Sequence, residues 1–333
     1  MVRYVDPQNK ILYFPEHLRK WLAGEVIYPI NVEVDLSNSC QLKCSMCNYA
    51  NLRSAEWLSK SDIERVLTQL VTVGVRSVTW SGGGEPLTNP YAGYAFEMAW
   101  NLGLKQGIYT NGLLLDKHLQ TVDRYCDWVH ISLHAASPAT YRAITGIDSF
   151  DKVVQNIKYL LKTRHRLVVG MGMVTIPENE HEILDFYQRS KVLGVNYCGF
   201  KPSCYISDPV VLQRMWNVVN GLPEDVVKTP YRYLDQMLED PHPYKACHGH
   251  NFIGCVGARE DLPLWLCCSA RGIEAQRLGS LKTQTFESIW YSPRRRDIIQ
   301  NIDLSKCMRS CRPHALNKTL EMILAVNPHA EFL

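Results

Sequence analysis

The chain has 333 residues and a formal net charge of +3 at pH 7, from 36 Lys and Arg against 33 Asp and Glu. This mild charge gives no strong indication of nucleic-acid binding or of an anionic membrane surface. No apolar run of about 18 residues predicts a membrane span, and the first residues lack the apolar core of an export signal. Twelve cysteines without such a signal favour a reducing cytoplasm and bound metal over disulfides.

Strand-like and helix-like segments alternate through the first two thirds of the chain. The predicted strands cover residues 30–36, 77–80, 105–109, 128–134, 167–174 and 195–200. The predicted helices cover residues 59–73, 91–102, 150–162 and 180–193, the first of them opening with capping-box spacing at Ser59 and Asp62. This alternation predicts a parallel sheet with right-handed crossovers, and six units over residues 30–205 fit a partial (β/α)6 TIM-type barrel of the α/β class.

The alternation stops after about residue 215, where Pro, Tyr and Asp become frequent in the stretches 229–233 and 241–244. This change of composition predicts a domain boundary. We therefore expect an N-terminal extension over residues 1–29, the partial barrel over residues 30–215, and a small cysteine-rich α+β domain over residues 216–333.

Three cysteines, Cys40, Cys44 and Cys47, follow the first predicted strand on one short loop. Three thiolates this close can bind a [4Fe–4S] cluster and leave one iron without a protein ligand. Structural zinc normally takes four ligands, and disulfides need an oxidising compartment. The spacing therefore favours an iron–sulfur cluster with one open iron.

A glycine-rich turn, Gly82, Gly83 and Gly84 followed by Glu85, comes directly after the second predicted strand. The glycines permit the close approach of a small ligand, and Glu85 places a carboxylate where an amino group can bind. A tight connection between a strand and a helix is the alternative. The turn lacks the lysine of a phosphate-binding P-loop and the spacing of a dinucleotide-binding loop.

Together, the cysteine loop and the Gly-Gly-Gly-Glu-Pro turn resemble those of the radical S-adenosylmethionine (SAM) enzymes. The resemblance implies that the three cysteines bind a [4Fe–4S] cluster, that its open iron binds SAM, and that residues 82–85 contact the methionine amino group. It also implies an open (β/α)6 barrel and an external one-electron donor such as flavodoxin or ferredoxin. The electron cleaves SAM to a 5′-deoxyadenosyl radical, which takes a hydrogen atom from a substrate.

Further site residues are expected on the loops after the strands, where parallel barrels carry their reactive groups. The resemblance implies that Asn111, in a Thr-Asn-Gly turn, lies near SAM. It also implies that the fourth strand contacts the SAM ribose through Ser132 or His134, which share one face by period two. The alternatives are a plain turn and a solvent-facing polar pair.

Lys201 and Cys204 follow the sixth predicted strand and are the candidate catalytic residues. Lys201 can pair with a substrate carboxylate or phosphate. The weak S–H bond of Cys204 can return a hydrogen atom to a carbon radical. The alternative is a strand edge with a stray lysine and buried thiols.

Six cysteines in under 70 residues mark the C-terminal part of the chain: Cys247, Cys255, Cys267, Cys268, Cys307 and Cys311. This segment resembles the SPASM/twitch extension of radical SAM enzymes, which binds auxiliary [4Fe–4S] clusters. The resemblance implies a single auxiliary cluster, because no cysteine follows the closing pair. Its simplest ligand set is Cys247, Cys268, Cys307 and Cys311.

The ligand assignment leaves three alternatives open. Cys267 can replace Cys268, and Cys255 can be a further ligand or a spare. A structural zinc site is the third alternative, with His248, His250 or His314 as nitrogen ligands.

Three functions follow from these patterns. The first is a radical SAM enzyme that acts on a small polar metabolite of the sugar, nucleoside or aminoglycoside type, by dehydrogenation, epimerisation or decarboxylation. The second is a peptide-modifying maturase, which is less favoured because only about 30 residues precede the first strand, too few for a leader-binding domain. The third is a non-catalytic iron–sulfur electron carrier, against which the open cysteine triplet and the barrel argue.

Overall fold

The structure, a computed structural model, describes residues 7–223, 226–228, 233–238, 242–309 and 311–325. Its strands are β1 Asn31–Asp35, β2 Ser77–Ser81, β3 Lys105–Thr110, β4 Trp128–Ser132, β5 Val168–Thr175, β6 Tyr197–Pro202, β7 Val226–Lys228, β8 Ile253–Val256, β9 Pro263–Trp265 and β10 Arg277–Ser280. Within the described ranges, no helix has the length and apolar character that crossing a membrane requires.

The described helices alternate with these strands as far as β7. They are α1 Pro15–Leu22, α2 Lys60–Thr72, α3 Ala92–Asn101, α4 Leu115–Tyr125, α5 Pro138–Thr145, α6 Phe150–Thr163, α7 Ile183–Leu193, α8 Pro209–Asn220, α9 Phe286–Trp290, α10 Pro293–Gln300 and α11 His314–Leu324. The predicted capping box is confirmed at the start of α2, where the Ser59 side chain accepts a hydrogen bond from the backbone N–H of Asp62.

One sheet joins all ten strands in the order β10-β9-β8-β1-β2-β3-β4-β5-β6-β7. The strands from β1 to β7 pair in parallel, β8 pairs in parallel with β1, and β8, β9 and β10 pair antiparallel. The predicted α/β class and parallel sheet are therefore confirmed. The parallel run is longer than the six predicted strands, because β7 extends it at one edge and β8 at the other.

Helix α8 spans residue 215, where the sequence predicts a domain boundary. The sheet is also continuous between β1 and β8, so the cysteine-rich segment is built onto the edge of the barrel. The division into two domains stays a prediction. Residues 229–232 and 241, which belong to the stretches whose composition suggested the boundary, lie outside the described residues.

The two faces of the curved sheet differ in chemistry. In β1 the residues Val32 and Val34 belong to the large apolar core between sheet and helices. The alternate residues Glu33 and Asp35 lie on the opposite face, the inside of the barrel, because successive side chains of a strand point to opposite sides. The same alternation gives the barrel a polar interior.

Glycines make room for aromatic side chains inside the barrel. A Cβ atom at Gly107 would lie 1.8 Å from the Trp128 ring, and one at Gly170 would lie 2.0 Å from the Tyr197 ring. A Cβ atom at Gly172 would lie 2.0 Å from the His130 ring. Such distances are far below van der Waals contact, so these rings occupy the space that side chains on β3 and β5 would fill.

Candidate active site

The cysteine loop follows the end of β1 and is held by backbone hydrogen bonds to the end of α5 and by one within the loop itself. Its residues Lys43 and Ser45 donate to the carbonyls of Thr145 and Ile144 at the end of α5, at 2.9 and 3.0 Å. The Cys47 N–H donates to the Cys44 carbonyl at 3.2 Å and closes a turn. The positions of the three thiols are therefore set by backbone contacts.

The glycine turn packs directly against the start of this loop. A Cβ atom at Gly84 would lie 2.3 Å from the Ser39 carbonyl oxygen, and one at Gly83 would lie 2.5 Å from Asn38 Oδ1. None of Gly82, Gly83 and Gly84 is among the glycines with positive φ. The observed reason for the glycines is thus close approach of two protein segments. Their contact with the SAM amino group remains a prediction.

Glu85 connects the glycine turn to the end of β3. Its carboxylate accepts hydrogen bonds from Thr110 Oγ1 at 2.7 Å, from the Asn111 backbone N–H at 2.7 Å and from the Leu87 backbone N–H at 3.1 Å. Burial raises the pKa of Glu85 to about 7, and these three hydrogen bonds oppose the rise. Glu85 therefore has a structural role beside any contact with a ligand.

Asn111 lies beside the cysteine loop. Its Nδ2 lies 3.8 Å from Cys40 Sγ and donates to Gln41 Oε1 at 3.2 Å. The ends of β1, β2 and β3 therefore bring together the cysteine loop, the glycine turn and Asn111, three features that the sequence singled out separately.

The three thiols fit an iron–sulfur cluster chemically. Burial raises the pKa of Cys44 to about 12, and its neighbours Cys40 and Cys47 add to the rise. Burial likewise raises the pKa of Cys40. Cys40 and Cys44 thus resist ionisation, and a nearby cation is needed for both to become thiolates, a charge that iron supplies.

His134 departs from the predicted strand geometry. Strand β4 ends at Ser132, and His134 has a positive φ of 64°, so the expectation that the two residues share a strand face is wrong. The ring Nδ1 of His134 accepts a hydrogen bond from the Val174 backbone N–H at 3.1 Å. Ser132 lies half-buried at the end of β4, opposite Gly172 of β5.

A row of rings lines one side of the barrel interior. The ring centroids of Tyr109 and His130 are 5.1 Å apart, and those of His130 and Tyr197 are 5.7 Å apart. Burial lowers the pKa of both His130 and His134 to about 3, and the positive charge of Lys201 contributes to the shift. Both imidazoles are therefore neutral at physiological pH, and the charge of Lys201 acts on the barrel interior.

Arg271 enters the opposite side of the barrel from the C-terminal segment. Its side chain, 2% exposed, pairs with Asp35 at 2.7 Å and with Glu33 at 2.9 Å, and its guanidinium lies 4.5 Å from the centre of the Tyr49 ring. Burial raises the pKa of Asp35, and the Arg271 charge opposes that rise. Arg312 also pairs with Glu33. These residues were not predicted as site residues from the sequence, although Glu33 and Asp35 alternate with valines along β1.

Cys204 lies near the cysteine loop. Its Sγ donates a hydrogen bond at 3.1 Å to Oδ1 of Asn48, the residue after Cys47. The candidate hydrogen donor and the cysteine triplet therefore share the mouth of the barrel. Lys201, three residues earlier on β6, is opposite Val174 of β5 and is exposed.

The C-terminal cysteines separate into two groups. One cavity is lined by Cys247, Cys267, Cys307 and Cys311. Cys255 and Cys268 instead pack together with Trp265, and Cys255 is influenced by Arg271 and Asp35 at the barrel wall. The structure thus places Cys267, and not Cys268, with the other three expected ligands. This placement agrees with the alternative ligand set, in which Cys267 replaces Cys268.

The cavity fits a cluster with four thiolate ligands. Burial raises the pKa of Cys307 to about 11, and burial with the neighbouring Cys247 and Cys311 raises that of Cys267 further. Among the described residues, no three His, Cys, Asp or Glu side chains converge on one metal-ion position. In a [4Fe–4S] cluster each thiolate binds a different iron, so such convergence is not needed.

The histidines considered as zinc ligands have other partners. His314 Nε2 pairs with Asp235 at 2.7 Å, and His248 Nε2 pairs with Glu321 at 3.1 Å. His250 Nδ1 lies 3.5 Å from an Arg295 nitrogen.

Residues 34–189 match the Radical SAM superfamily. The chain contains a radical SAM domain. This match covers the end of β1, the cysteine loop, the glycine turn and β2 to β5, and the cofactors of such a domain are a [4Fe–4S] cluster and SAM.

Curated relatives share this domain. A probable GTP 3',8-cyclase from Saccharolobus islandicus is 30% identical over 174 residues, which is 50% of this chain and 54% of the relative. A GTP 3',8-cyclase from Synechocystis is 27% identical over 167 residues, 48% of this chain and 50% of the relative. The chain thus spans about half the length of the curated relatives it matches.

Solved structures match over a longer range of the chain. Streptococcus suis SuiB bound to its precursor peptide SuiA has a TM-score of 0.68 at 15% identity, covering 90% of this chain and 73% of SuiB. Native anSMEcpe with bound AdoMet has a TM-score of 0.62 at 16% identity, covering 87% of this chain and 88% of that one. These likenesses show the fold, and they extend beyond the radical SAM domain into the cysteine-rich segment.

Proposed function

We propose that this radical SAM enzyme binds SAM at the Cys40–Cys44–Cys47 site and abstracts a hydrogen atom from a small polar metabolite inside the barrel. The observation that carries the proposal is the convergence of the cysteine loop, the glycine turn and Asn111, joined by Glu85 and the 3.8 Å contact between Asn111 and Cys40. When the cluster and SAM are bound, one electron breaks the C5′–S bond of SAM, and the 5′ carbon takes the substrate hydrogen.

The chain's own residues supply binding and orientation. Asn111 and the glycine turn would orient SAM, and Ser132 would bind its ribose as a hydrogen-bond donor. Lys201 would hold a substrate carboxylate or phosphate as a point charge. The neutral His130 and His134 would add hydrogen bonds without adding charge.

The polar interior supports a metabolite as substrate. Carboxylates and neutral imidazoles form hydrogen bonds with hydroxyl groups, and guanidinium groups bind phosphates. Sugars, nucleosides and their phosphates carry such groups. The name of the curated relatives, GTP 3',8-cyclase, contains a nucleotide and supports the same class. A peptide substrate, as in the SuiB structure, is the alternative.

The second cysteine group supports an oxidative outcome. The thiols of Cys247, Cys267, Cys307 and Cys311 would occupy every iron of an auxiliary [4Fe–4S] cluster, which leaves no iron for substrate. We therefore infer an electron-accepting role for this site and favour dehydrogenation. An external one-electron donor, flavodoxin or ferredoxin, would reduce the first site, and a reducing cytoplasm would keep the twelve cysteines available.

SAM cleavage tests the proposal directly. Anaerobically reconstituted protein with dithionite and SAM is expected to release 5′-deoxyadenosine, which chromatography quantifies. Cys40→Ala should abolish this release because it removes one cluster ligand. Cys126→Ala is the matched control, since Cys126 is buried at the end of α4 away from the site. A Cys40→Ala protein that still releases 5′-deoxyadenosine would refute the mechanism.

Epimerisation is the second candidate outcome because Cys204 lies at the barrel mouth beside Asn48. If Cys204 returns a hydrogen atom to the substrate radical, it becomes a thiyl radical, which an electron from the external one-electron donor and a solvent proton would restore to the thiol. Product formed in D2O will then contain deuterium, because thiols exchange with solvent. Cys204→Ala should then stop turnover while SAM cleavage continues. Unchanged turnover in Cys204→Ala rules out the donor role and leaves dehydrogenation.

A further inference from the structure

Asn317 on α11 lies directly behind one of the auxiliary thiols. Its Oδ1 accepts two backbone hydrogen bonds, from His248 N–H at 2.7 Å and from Gly249 N–H at 2.6 Å. Its Nδ2 lies 3.5 Å from Cys247 Sγ. The two N–H donors settle which end of the amide is the oxygen, because an amide NH2 accepts no hydrogen bond. The donating end therefore faces sulfur.

Gly249 allows this arrangement. A Cβ atom at this position would lie 2.6 Å from Pro313 Cβ and 3.3 Å from Asn317 Oδ1. Any larger residue would push the start of α11 away from the Cys247 turn. Asn317 is fully buried, so water does not compete for its amide. The sequence Cys247-His248-Gly249 and the helix α11 thus build a rigid donor toward the thiol.

We propose that Asn317 is a positioning residue that donates a hydrogen bond to the Cys247 thiolate and thereby raises the reduction potential of the auxiliary cluster. The inference rests on the proposed function, in which Cys247 is a ligand of that cluster. A hydrogen bond to a ligand sulfur stabilises the more negative, reduced state more than the oxidised state. Asn317 would thus make the auxiliary site a better electron acceptor.

Asn317→Asp is the sharpest test. The variant keeps an oxygen for the two backbone N–H groups and replaces the donating NH2 with a second oxygen. The measurement is an EPR-monitored redox titration of the fully reconstituted holoenzyme, with and without SAM. The signal that SAM leaves unchanged belongs to the auxiliary site. We expect its midpoint potential to fall, with the iron content unchanged.

Asn251→Asp is the matched control. Asn251 lies in the same turn, where its Nδ2 donates to the His248 carbonyl at 3.2 Å and its Oδ1 accepts from Arg295 at 2.8 Å. The Asn251 amide contacts the His248 carbonyl and Arg295, and not a cysteine sulfur. Asn251→Asp should therefore shift the midpoint potential of the auxiliary cluster far less than Asn317→Asp does. An equal shift in the two variants would mean that added charge, and not the lost donor, is the cause, and would overturn the inference.

Asn317→Ser keeps the test valid if the aspartate variant loses iron. Serine adds no charge and is too short to reach Cys247, so the potential should again fall. An Asn317→Ser or Asn317→Asp protein that has the full iron content and the wild-type midpoint potential of the auxiliary cluster overturns the role of Asn317. A wild-type protein that binds only about four irons per chain and shows no second EPR signal instead overturns the proposed auxiliary cluster, and the inference with it.

Discussion

Cys267 and Cys268 are neighbours in the chain but lie in different environments. Cys267 lines the cavity that Cys247, Cys307 and Cys311 share, whereas Cys268 packs against Cys255 and Trp265. The backbone between them turns from an extended residue into the short 3-10 helix Cys268–Ala270, which directs the two thiols apart. Of these two adjacent cysteines, Cys267 is therefore the one placed beside the other proposed cluster ligands.

Replacing each of these two cysteines separately tests the ligand assignment. We expect Cys267→Ala to lower the iron content by up to about four atoms per chain, because it removes one of the four thiolates that would hold the auxiliary cluster. Cys268→Ala should keep the wild-type content, which makes it the matched control. Iron and sulfide analysis after anaerobic reconstitution is the measurement. Loss of iron in Cys268→Ala alone would show that the ligand is Cys268.

At the scale of single elements, helix α2 carries a link to the C-terminal segment. Asp62, in its first turn, accepts from Ser59 Oγ at 2.6 Å and pairs with Lys282 at 2.6 Å. Burial raises the pKa of Asp62, but the hydrogen bonds from Lys282 and Ser59 outweigh burial and leave it lowered. The capping box thus also joins two distant parts of the chain.

This lowered pKa predicts a dependence of stability on pH. A carboxyl whose pKa is lower in the folded state stabilises the fold above its ordinary pKa, and the contribution is lost as the pH falls through the folded value. Asp62→Asn should therefore reduce the free energy of unfolding by about 1 kcal/mol at pH 7, and the difference should vanish in acid.

Urea unfolding at a series of pH values measures this dependence. Asp185→Asn is the control, because Asp185 also lies in a first helical turn, that of α7, where no side-chain cap is present. A difference between wild type and Asp62→Asn that persists at low pH would contradict the prediction.

At the scale of the whole molecule, Arg271 joins the C-terminal segment to the barrel. It places one buried cation between Glu33 and Asp35 of β1, and Tyr49 of the cysteine loop covers it. The Tyr49 hydroxyl also donates to the Cys268 carbonyl at 3.3 Å. The segment that carries Cys267 therefore contacts the loop that carries Cys47, so each site supports the geometry of the other.

Removing this cation should destabilise the protein strongly. Arg271→Met leaves the Asp35 carboxylate buried without a cation, whereas Glu33 keeps Arg312 as a partner, and this loss costs about 3–5 kcal/mol. The double variant Asp35→Asn, Arg271→Met removes both charges of this pair together and should recover most of that loss. Thermal unfolding and limited proteolysis are the measurements. Equal stability of the single and double variants would show that Arg271 acts by packing and not by charge.

Local patterns predicted most of the barrel. The strands β1 to β6 and the helices α2, α3, α6 and α7 lie within a few residues of their predicted bounds, because apolar periodicity and end signals are local properties. The helix α4 and the strand β8 were not predicted. The parallel pairing of β8 with β1 joins residues more than 200 positions apart, and no local pattern encodes it.

The sequence by itself determined the chemistry of this protein: a cysteine triplet with its glycine turn, a second cysteine group, and alternating strands and helices. These are covalent or short-range features, so they can be recognised from the amino-acid sequence alone. The tertiary structure decided which distant groups meet. It placed Cys267, and not Cys268, in the cavity with Cys247, Cys307 and Cys311, turned the Asn317 amide toward Cys247, and placed Arg271 against β1. Each of these contacts depends on packing between remote segments, which only the folded chain brings together.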